Sequence, residues 1–163
     1  MATVSLTLND YVRLARRSDV RDVAKLLRDC FRDTGLVATR ESTRLELCEF
    51  GAGTNFRVDH LVAVSAGKVC GFLVMKPGPR LLEGEIEKLF VAPARRGAGV
   101  GTLLLEEAYA FARFRGYRWL CLQNGEPFTA ARAWYLRHGW KQTPGARVGW
   151  FEREVPAIEW QRA

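Results

Sequence analysis

Apolar residues recur along the chain at two different spacings, and the changes between them mark out the elements. Residues 11–15 alternate and predict a first strand. Val20, Val23, Ala24, Leu27, Cys30 and Phe31 then follow the i, i+3, i+4, i+7 spacing of a helix with one buried face. Ser18 is placed to cap that helix, and Asp19 and Asp22 suit the positive end of its dipole. Residues 40–50 fit either a helix or a strand; we assign them to a helix that stops at the Gly51-Ala52-Gly53 breaker. The apolar runs at 61–65 and 68–75 flank Ala66-Gly67, the pattern of two strands joined by a tight turn. Pro77-Gly78-Pro79 interrupts the chain before a further strand at 83–91.

Val100, Leu103, Leu104, Ala108, Phe111 and Ala112 predict a long helix at 98–115, which Gly116 stops. A compact apolar strand at 117–123 comes next, then a short helix that Thr129 caps and Gly139 ends. Residues 140–143 and 147–154 predict a closing pair of strands around Pro144-Gly145. The expected fold is therefore mixed α/β, one sheet of about seven strands with helices on both faces.

Composition narrows the class. A chain of 163 residues without an internal repeat or linker predicts a single domain spanning 1–163. Apolar residues at 48% and charged residues at 26% exclude wholesale disorder. No apolar run reaches the roughly 18 residues that a membrane helix needs. Residues 1–11 lack the basic start and apolar block of a secretory signal, so a cytoplasmic location is expected. Cys30, Cys48, Cys70 and Cys121 are scattered and form no C-x-x-C pair; with His60 and His138 they give no metal-ligand spacing. Buried free thiols and no metal are expected. The net charge of +7 favours an anionic partner, whether nucleic acid, a membrane surface or a polyphosphorylated small molecule. With no run of five like charges and no Arg/Gly tail, a nucleic-acid arm is not expected.

The sharpest chemistry lies in Val91-Ala-Pro-Ala-Arg-Arg-Gly-Ala-Gly-Val-Gly-Thr102, between a predicted strand and a predicted helix. Glycine backbone there can approach a phosphate closely. The first-turn N–H groups of the helix have no internal acceptor and carry the positive end of its dipole. Arg95 and Arg96 add charge nearby. The dinucleotide fingerprint fails, because the glycines run Gly97-x-Gly99-x-Gly101 and no acid stands about 20 residues on. The triphosphate loop fails because Thr102 has no lysine before it. An R-x-x-G-x-G pattern remains, met by Arg96, Gly99 and Gly101 after Val91-Ala92-Pro93.

With that pattern and with Ala131-x-x-x-Tyr135-x-x-x-Gly139-Trp140, the chain resembles the GCN5-related N-acetyltransferase (GNAT) superfamily over roughly residues 83–140. The second motif is similar to the family's A-x-x-x-Y-x-x-x-G-F signature with Trp for Phe. The resemblance implies acetyl-CoA as acyl donor, its pyrophosphate on the amides of Arg96, Gly97, Ala98, Gly99, Val100, Gly101 and Thr102. It further implies a strand at 83–91 that bulges and splays from the strand at 117–123. Pantetheine would lie in the gap along Leu89, Phe90 and Val91, with an N–H near Val91 holding the thioester oxygen. Tyr135 is implied as general acid for the departing thiolate. Glu87, then Glu85, are implied as general base, with Glu126 a third possibility. Glu83, Glu85 and Glu87 share one strand face until a bulge intervenes. Many relatives carry an asparagine seven residues before the tyrosine; here that position is Phe128, and Asn124 in a longer loop is the substitute. His138 is expected to cap the end of the short helix.

The activity so implied is acetyl transfer to a primary amine in a ternary complex, with the acceptor unassigned: a small amine, a peptide or a protein amine. Two other readings are a non-catalytic CoA-binding sensor and a toxin-type enzyme acetylating the amine of a charged transfer RNA. A monomer or a homodimer is expected, without a membrane partner.

Overall fold

Two strands with apolar side chains on both faces form the centre of the molecule. In β2 (Asp59–Ser65) and β3 (Lys68–Pro77), Leu61, Ala63, Leu73 and Met75 face one side, while Val62, Val64, Phe72 and Val74 face the other. Burial on both faces explains why these runs read as nearly continuous apolar sequence. They meet at Ala66 (φ 49°) and Gly67 (φ 74°), a two-residue turn with both residues in the left-handed region, which matches strand twist.

The computed structural model describes residues 9–33, 35, 58–123, 129–143 and 150–156. The expected helix at 40–50, Cys48, Asn124, Glu126, Phe128, the Pro144-Gly145 turn and the Thr129 side chain lie outside this description. Within it a seven-stranded sheet has the order β1-β2-β3-β4-β5-β7-β6. The other strands are β1 (Tyr11–Leu14), β4 (Glu83–Val91), β5 (Trp119–Gln123), β6 (Lys141–Gln142) and β7 (Trp150–Glu154). β4 and β5 run parallel, whereas the remaining neighbours pair antiparallel. The helices are α1 (Val20–Asp33), α2 (Val100–Arg115) and α3 (Thr129–Arg137).

Helix α2 lies on one face, burying Val100, Leu104, Leu105, Ala108 and Ala112 against Leu61, Leu73, Ile86, Leu120 and Phe151. Helix α1 covers the other face through Val23, Leu26, Leu27 and Cys30. The mixed sheet with helices on both faces is thus the architecture that the periodicity predicts. Cys30, Cys70 and Cys121 are buried free thiols. No described helix is long and apolar enough to cross a membrane.

Element ends shift for local reasons. Ser18 does not cap α1, because it sits inside a 3-10 turn, Arg17–Asp19. The reaching acceptor is Asp19, whose carboxylate takes the Arg16 N–H at 2.7 Å and the Arg13 guanidinium at 2.7 and 2.9 Å. Helix α2 starts at Val100 rather than at 98, because Gly97 (φ 74°) and Gly99 (φ 90°) adopt backbone no α-helix contains. β5 starts at Trp119, since the Tyr117 N–H closes the helix end on the Ala112 carbonyl.

One irregularity prepares the site. Along β3 and β4, Val74 is opposite Lys88 but Met75 is opposite Ile86, so Glu87 is an extra, bulged residue. The bulge resets the alternation: Ile86, Leu89 and Val91 all pack toward the α2 side, while Phe90 packs toward α1 and Ala92 touches both clusters.

Candidate active site

The parallel pairing of β4 with β5 ends where the bulge begins. It runs from Glu83 opposite Trp119 to Ile86 opposite Leu122 and no further. Residues 87–91 continue against β3 alone, and a cleft of about 770 Å³ opens between them and α3. The Ala92 N–H goes to the Cys70 carbonyl at 2.9 Å, which makes residues 70 and 92 a hydrogen-bonded pair. Antiparallel pairs alternate, so Leu89 and Val91 turn their N–H and C=O groups away from β3, toward the gap. The Val91 carbonyl there accepts from Cys30 Sγ at 3.3 Å and from Arg96 Nε at 3.2 Å.

The cleft ends at the start of α2. Gly99 is the N-terminal cap, and the first helical bond is Leu103 N–H to the Gly99 carbonyl at 3.0 Å. The N–H groups of Val100, Gly101 and Thr102 therefore have no acceptor within the helix. A Cβ on Gly97 would meet nothing within 4 Å, so the loop backbone stands open to an incoming group. Gly101 serves differently, because a Cβ there would come within 3.0 Å of the Trp134 ring. Its lack of a side chain lets α3 lie against α2.

The two loop arginines line the cleft but are not unpaired charges, contrary to the expectation that they simply add to the cradle. Arg95 binds Asp10 at 2.9 Å, and Arg96 is paired with Asp33 at the end of α1. At the loop itself the attraction for an anion therefore comes mainly from amides and the helix dipole, and the two arginines tie the loop to Asp10 and Asp33.

Of the sequence-predicted residues, Glu87, Leu89, Phe90, Val91, Arg96, Gly97, Gly99, Gly101, Thr102 and Tyr135 all line the cleft. Ala98 and Val100 are buried, so they can contribute only backbone. Glu85 is not in the lining; it lies before the bulge, opposite Lys76 and Cys121. Glu83 is further away still, buried and held by Arg80 Nε at 2.8 Å, with Arg80 reaching on to Glu152 at 2.7 Å. The bulge thus separates Glu87 from the other two strand carboxylates.

Glu87 receives the Lys76 ammonium at 3.0 Å and lies 3.2 Å from that of Lys88. Partial burial pushes its carboxyl up, but the Lys76 hydrogen bond and the charges of Lys88 and Lys76 outweigh burial and leave it below the usual range. Tyr135 is 6% exposed and packs among Trp134 (centroids 5.2 Å apart), Trp140 (5.7 Å) and Phe151 (6.3 Å). Burial, with Tyr109 adding to it, raises the phenol and keeps it protonated.

Sequence reasoning missed several cleft residues: Cys30 and Asp33 from α1, Gln123 from β5, and Ala130, Trp134 and Arg137 from α3. Trp134 and Arg137 flank the motif tyrosine and could have been read from helical spacing. Cys30 and Asp33 reach the site through topology, which no local pattern carries. His138 caps α3 as expected, its Nδ1 lying 2.8 Å from the Trp134 carbonyl. Its Nε2 also meets Thr102 Oγ1 at 3.1 Å, which was not anticipated.

With this geometry in view, comparison with known proteins is decisive. The family pattern described as "Acetyltransferase (GNAT) domain" matches residues 57–142, more than half of the chain. The chain belongs to the GNAT acetyltransferase family. It is similar to the "IAA acetyltransferase" of Azospirillum brasilense, with 31% identity over 129 residues that cover 78% of this chain and 83% of the relative. Its fold matches the PaiA N-acetyltransferase of Thermoplasma acidophilum, solved in complex with coenzyme A. That match has a TM-score of 0.74 at 16% identity and covers 90% of this chain and 99% of that one. A GNAT acetyltransferase from Brucella melitensis in complex with acetyl-CoA matches with a TM-score of 0.67 at 21% identity, covering 95% and 94%. This GNAT protein is an acetyltransferase. The residues present fit an acyl-CoA donor: amides without helical acceptors at the loop, and the N–H groups of Leu89 and Val91 turned toward the gap.

Proposed function

We propose that this GNAT enzyme acetylates a primary amine directly, holding donor and acceptor together in the cleft between β4 and β5. Acetyl-CoA supplies the acetyl group as an activated thioester. The amides from Arg96 to Thr102 hold the diphosphate at the positive end of α2. Leu89 and Val91 offer strand-like backbone partners to the pantetheine arm, and the Val91 N–H stabilises negative charge growing on the carbonyl oxygen. Tyr135, buried and neutral, gives its phenolic proton to the departing sulfur. Glu87 takes the proton leaving the amine, directly or through water. Glu85 is the second choice as base, since it stands outside the lining, and Asn124 is carried over as a pantetheine contact by resemblance alone.

The observation that carries this reading is the coincidence of three features: the bulge at Glu87, the end of β4–β5 pairing at Ile86, and unsatisfied amides at Gly99 and beyond. We read the chain as one domain over 1–163 acting in the cytoplasm, as monomer or homodimer. A nucleic-acid partner is disfavoured because the sequence has no run of five like charges and no Arg/Gly tail.

Release of free CoA thiol from acetyl-CoA is measured against polyamine, aminoglycoside, amino acid, peptide and charged-RNA amines. Turnover with at least one class is expected, falling about 100-fold in Tyr135→Phe and comparably in Glu87→Gln. Tight CoA binding without turnover in any pool would favour a sensor instead.

A further inference from the structure

The pair formed by Thr102 and His138 has a property that a helix cap does not require. A carbonyl oxygen only accepts hydrogen bonds, so the contact of His138 Nδ1 with the Trp134 carbonyl places the ring hydrogen on Nδ1. In the neutral ring Nε2 is then an acceptor, and its partner at 3.1 Å, the Thr102 hydroxyl, must be the donor. Thr102 stands in the first turn of α2 and lines the cleft. With its hydrogen directed at His138, its oxygen presents lone pairs to a site whose neighbouring amides all present hydrogens. A phosphate oxygen placed there would meet one repulsive contact.

A proton added at Nε2 reverses the bond. The imidazolium donates to Thr102 Oγ1, and the hydroxyl hydrogen is released toward the cleft. We propose that His138 is a positioning residue of the diphosphate site, taking up a proton from solvent as the diphosphate of CoA binds and so aiming the Thr102 hydroxyl at it. The inference rests on the donor site described above and adds to it a residue and a proton. The proton balance is simple: one proton joins Nε2, none leaves the protein, and one negative charge of the diphosphate is offset.

Charged groups face His138 from each neighbouring element. Arg153 of β7 donates to the His138 carbonyl, Arg137 of α3 lines the cleft beside it, and the dipole of α2 ends at Thr102. All three are positive, and an imidazolium there adds a further charge. In its favour stand the Trp134 ring, with centroids 4.2 Å apart, and Glu106, one helical turn from Thr102 on the same side of α2. A dianion at the helix terminus tips this balance.

The test is calorimetry with dephospho-CoA, which keeps the diphosphate but lacks the 3′-monophosphate that titrates near neutrality. Titrations at pH 7.5 in buffers of different ionisation enthalpy report the protons taken up per ligand bound. A substantial fraction of a proton is expected for the unaltered protein. It should vanish in His138→Asn, whose side-chain amide can still serve the Trp134 carbonyl, and in Thr102→Val, which leaves His138 in place. Affinity should be roughly tenfold tighter at pH 6 than at pH 8.5 in the unaltered protein, and flat across that range in both variants. Binding with equal proton uptake in all three proteins overturns the role of His138 and leaves the donor site standing. Failure of both CoA and dephospho-CoA to bind the unaltered protein overturns the donor site, and this inference with it.

Discussion

The two catalytic candidates are tuned in opposite senses by their neighbours, and each setting suits its task. Tyr135 is kept neutral by burial, the state that a general acid needs. Glu87 is kept ionised by Lys76 and Lys88, the state that a general base needs. Because the Glu87 carboxyl lies below its ordinary value, the acid-side fall of kcat should set in below the usual carboxylate range. Lys76→Met removes a hydrogen bond and a charge that favour the ionised form, and should move that fall to higher pH. Glu87→Gln should abolish it. Profiles of kcat against pH for the three proteins decide the matter; an unmoved fall in Lys76→Met would assign it to another group. The position of Glu87 was partly legible beforehand. The family resemblance implied a bulge in this strand, but Leu89, Phe90 and Val91 are all apolar, so spacing alone does not place it. The partners of Arg95 and Arg96 were not legible, since Asp10 and Asp33 lie 85 and 63 residues away in the chain. Only the folded topology brings them together.

At the scale of elements, the contact between α2 and α3 sets where the motif tyrosine stands. Trp134 rests on Gly101, His138 ties the end of α3 to Thr102, and Tyr135 is the residue next to Trp134. Gly101→Ala puts a methyl group within 3.0 Å of the indole, and α3 must yield by a few tenths of an ångström. A loss of acetyl-CoA affinity and of turnover is expected, with a change in unfolding free energy of about 1 kcal/mol or less, because only one short helix need adjust. Calorimetry for the ligand and urea unfolding for the fold separate the two effects. Equal affinity before and after substitution would mean that α3 does not depend on this contact. The sequence placed the centres of these elements well and their ends less well. Centres follow from side-chain periodicity, whereas ends are decided by single hydrogen bonds such as that of Tyr117 to Ala112, and by the positive φ of Gly97 and Gly99.

For the molecule as a whole, β2 and β3 contribute side chains to both apolar clusters, one under α2 and the other under α1. Neither helix has a core of its own, so the two faces should unfold together. Leu104→Ala and Leu27→Ala each remove a fully buried side chain, from opposite faces. Each should cost about 3 kcal/mol. In both variants urea unfolding followed by tryptophan fluorescence and by circular dichroism should give one coincident transition. Separate transitions in either variant would show that the faces are independent. The overall architecture was readable because alternation on both faces of two adjacent strands demands a layer on each side. The acceptor's half of the site was not, because no motif in the sequence marks it.

The four-residue seam between β4 and β5 has one more consequence. It divides the sheet into a four-stranded slab and a three-stranded slab, with Arg80 joining Glu83 of one to Glu152 of the other at the closed end. At the open end the donor's pantetheine arm would act as an eighth strand shared by both slabs. Hydrogen exchange at the Leu89 and Val91 amides should therefore slow sharply when CoA is added, while exchange at the central residues of β2 stays as it was. The cosubstrate would then be part of the sheet as well as its cargo, and each release of CoA would reopen the slab edge that the next molecule closes.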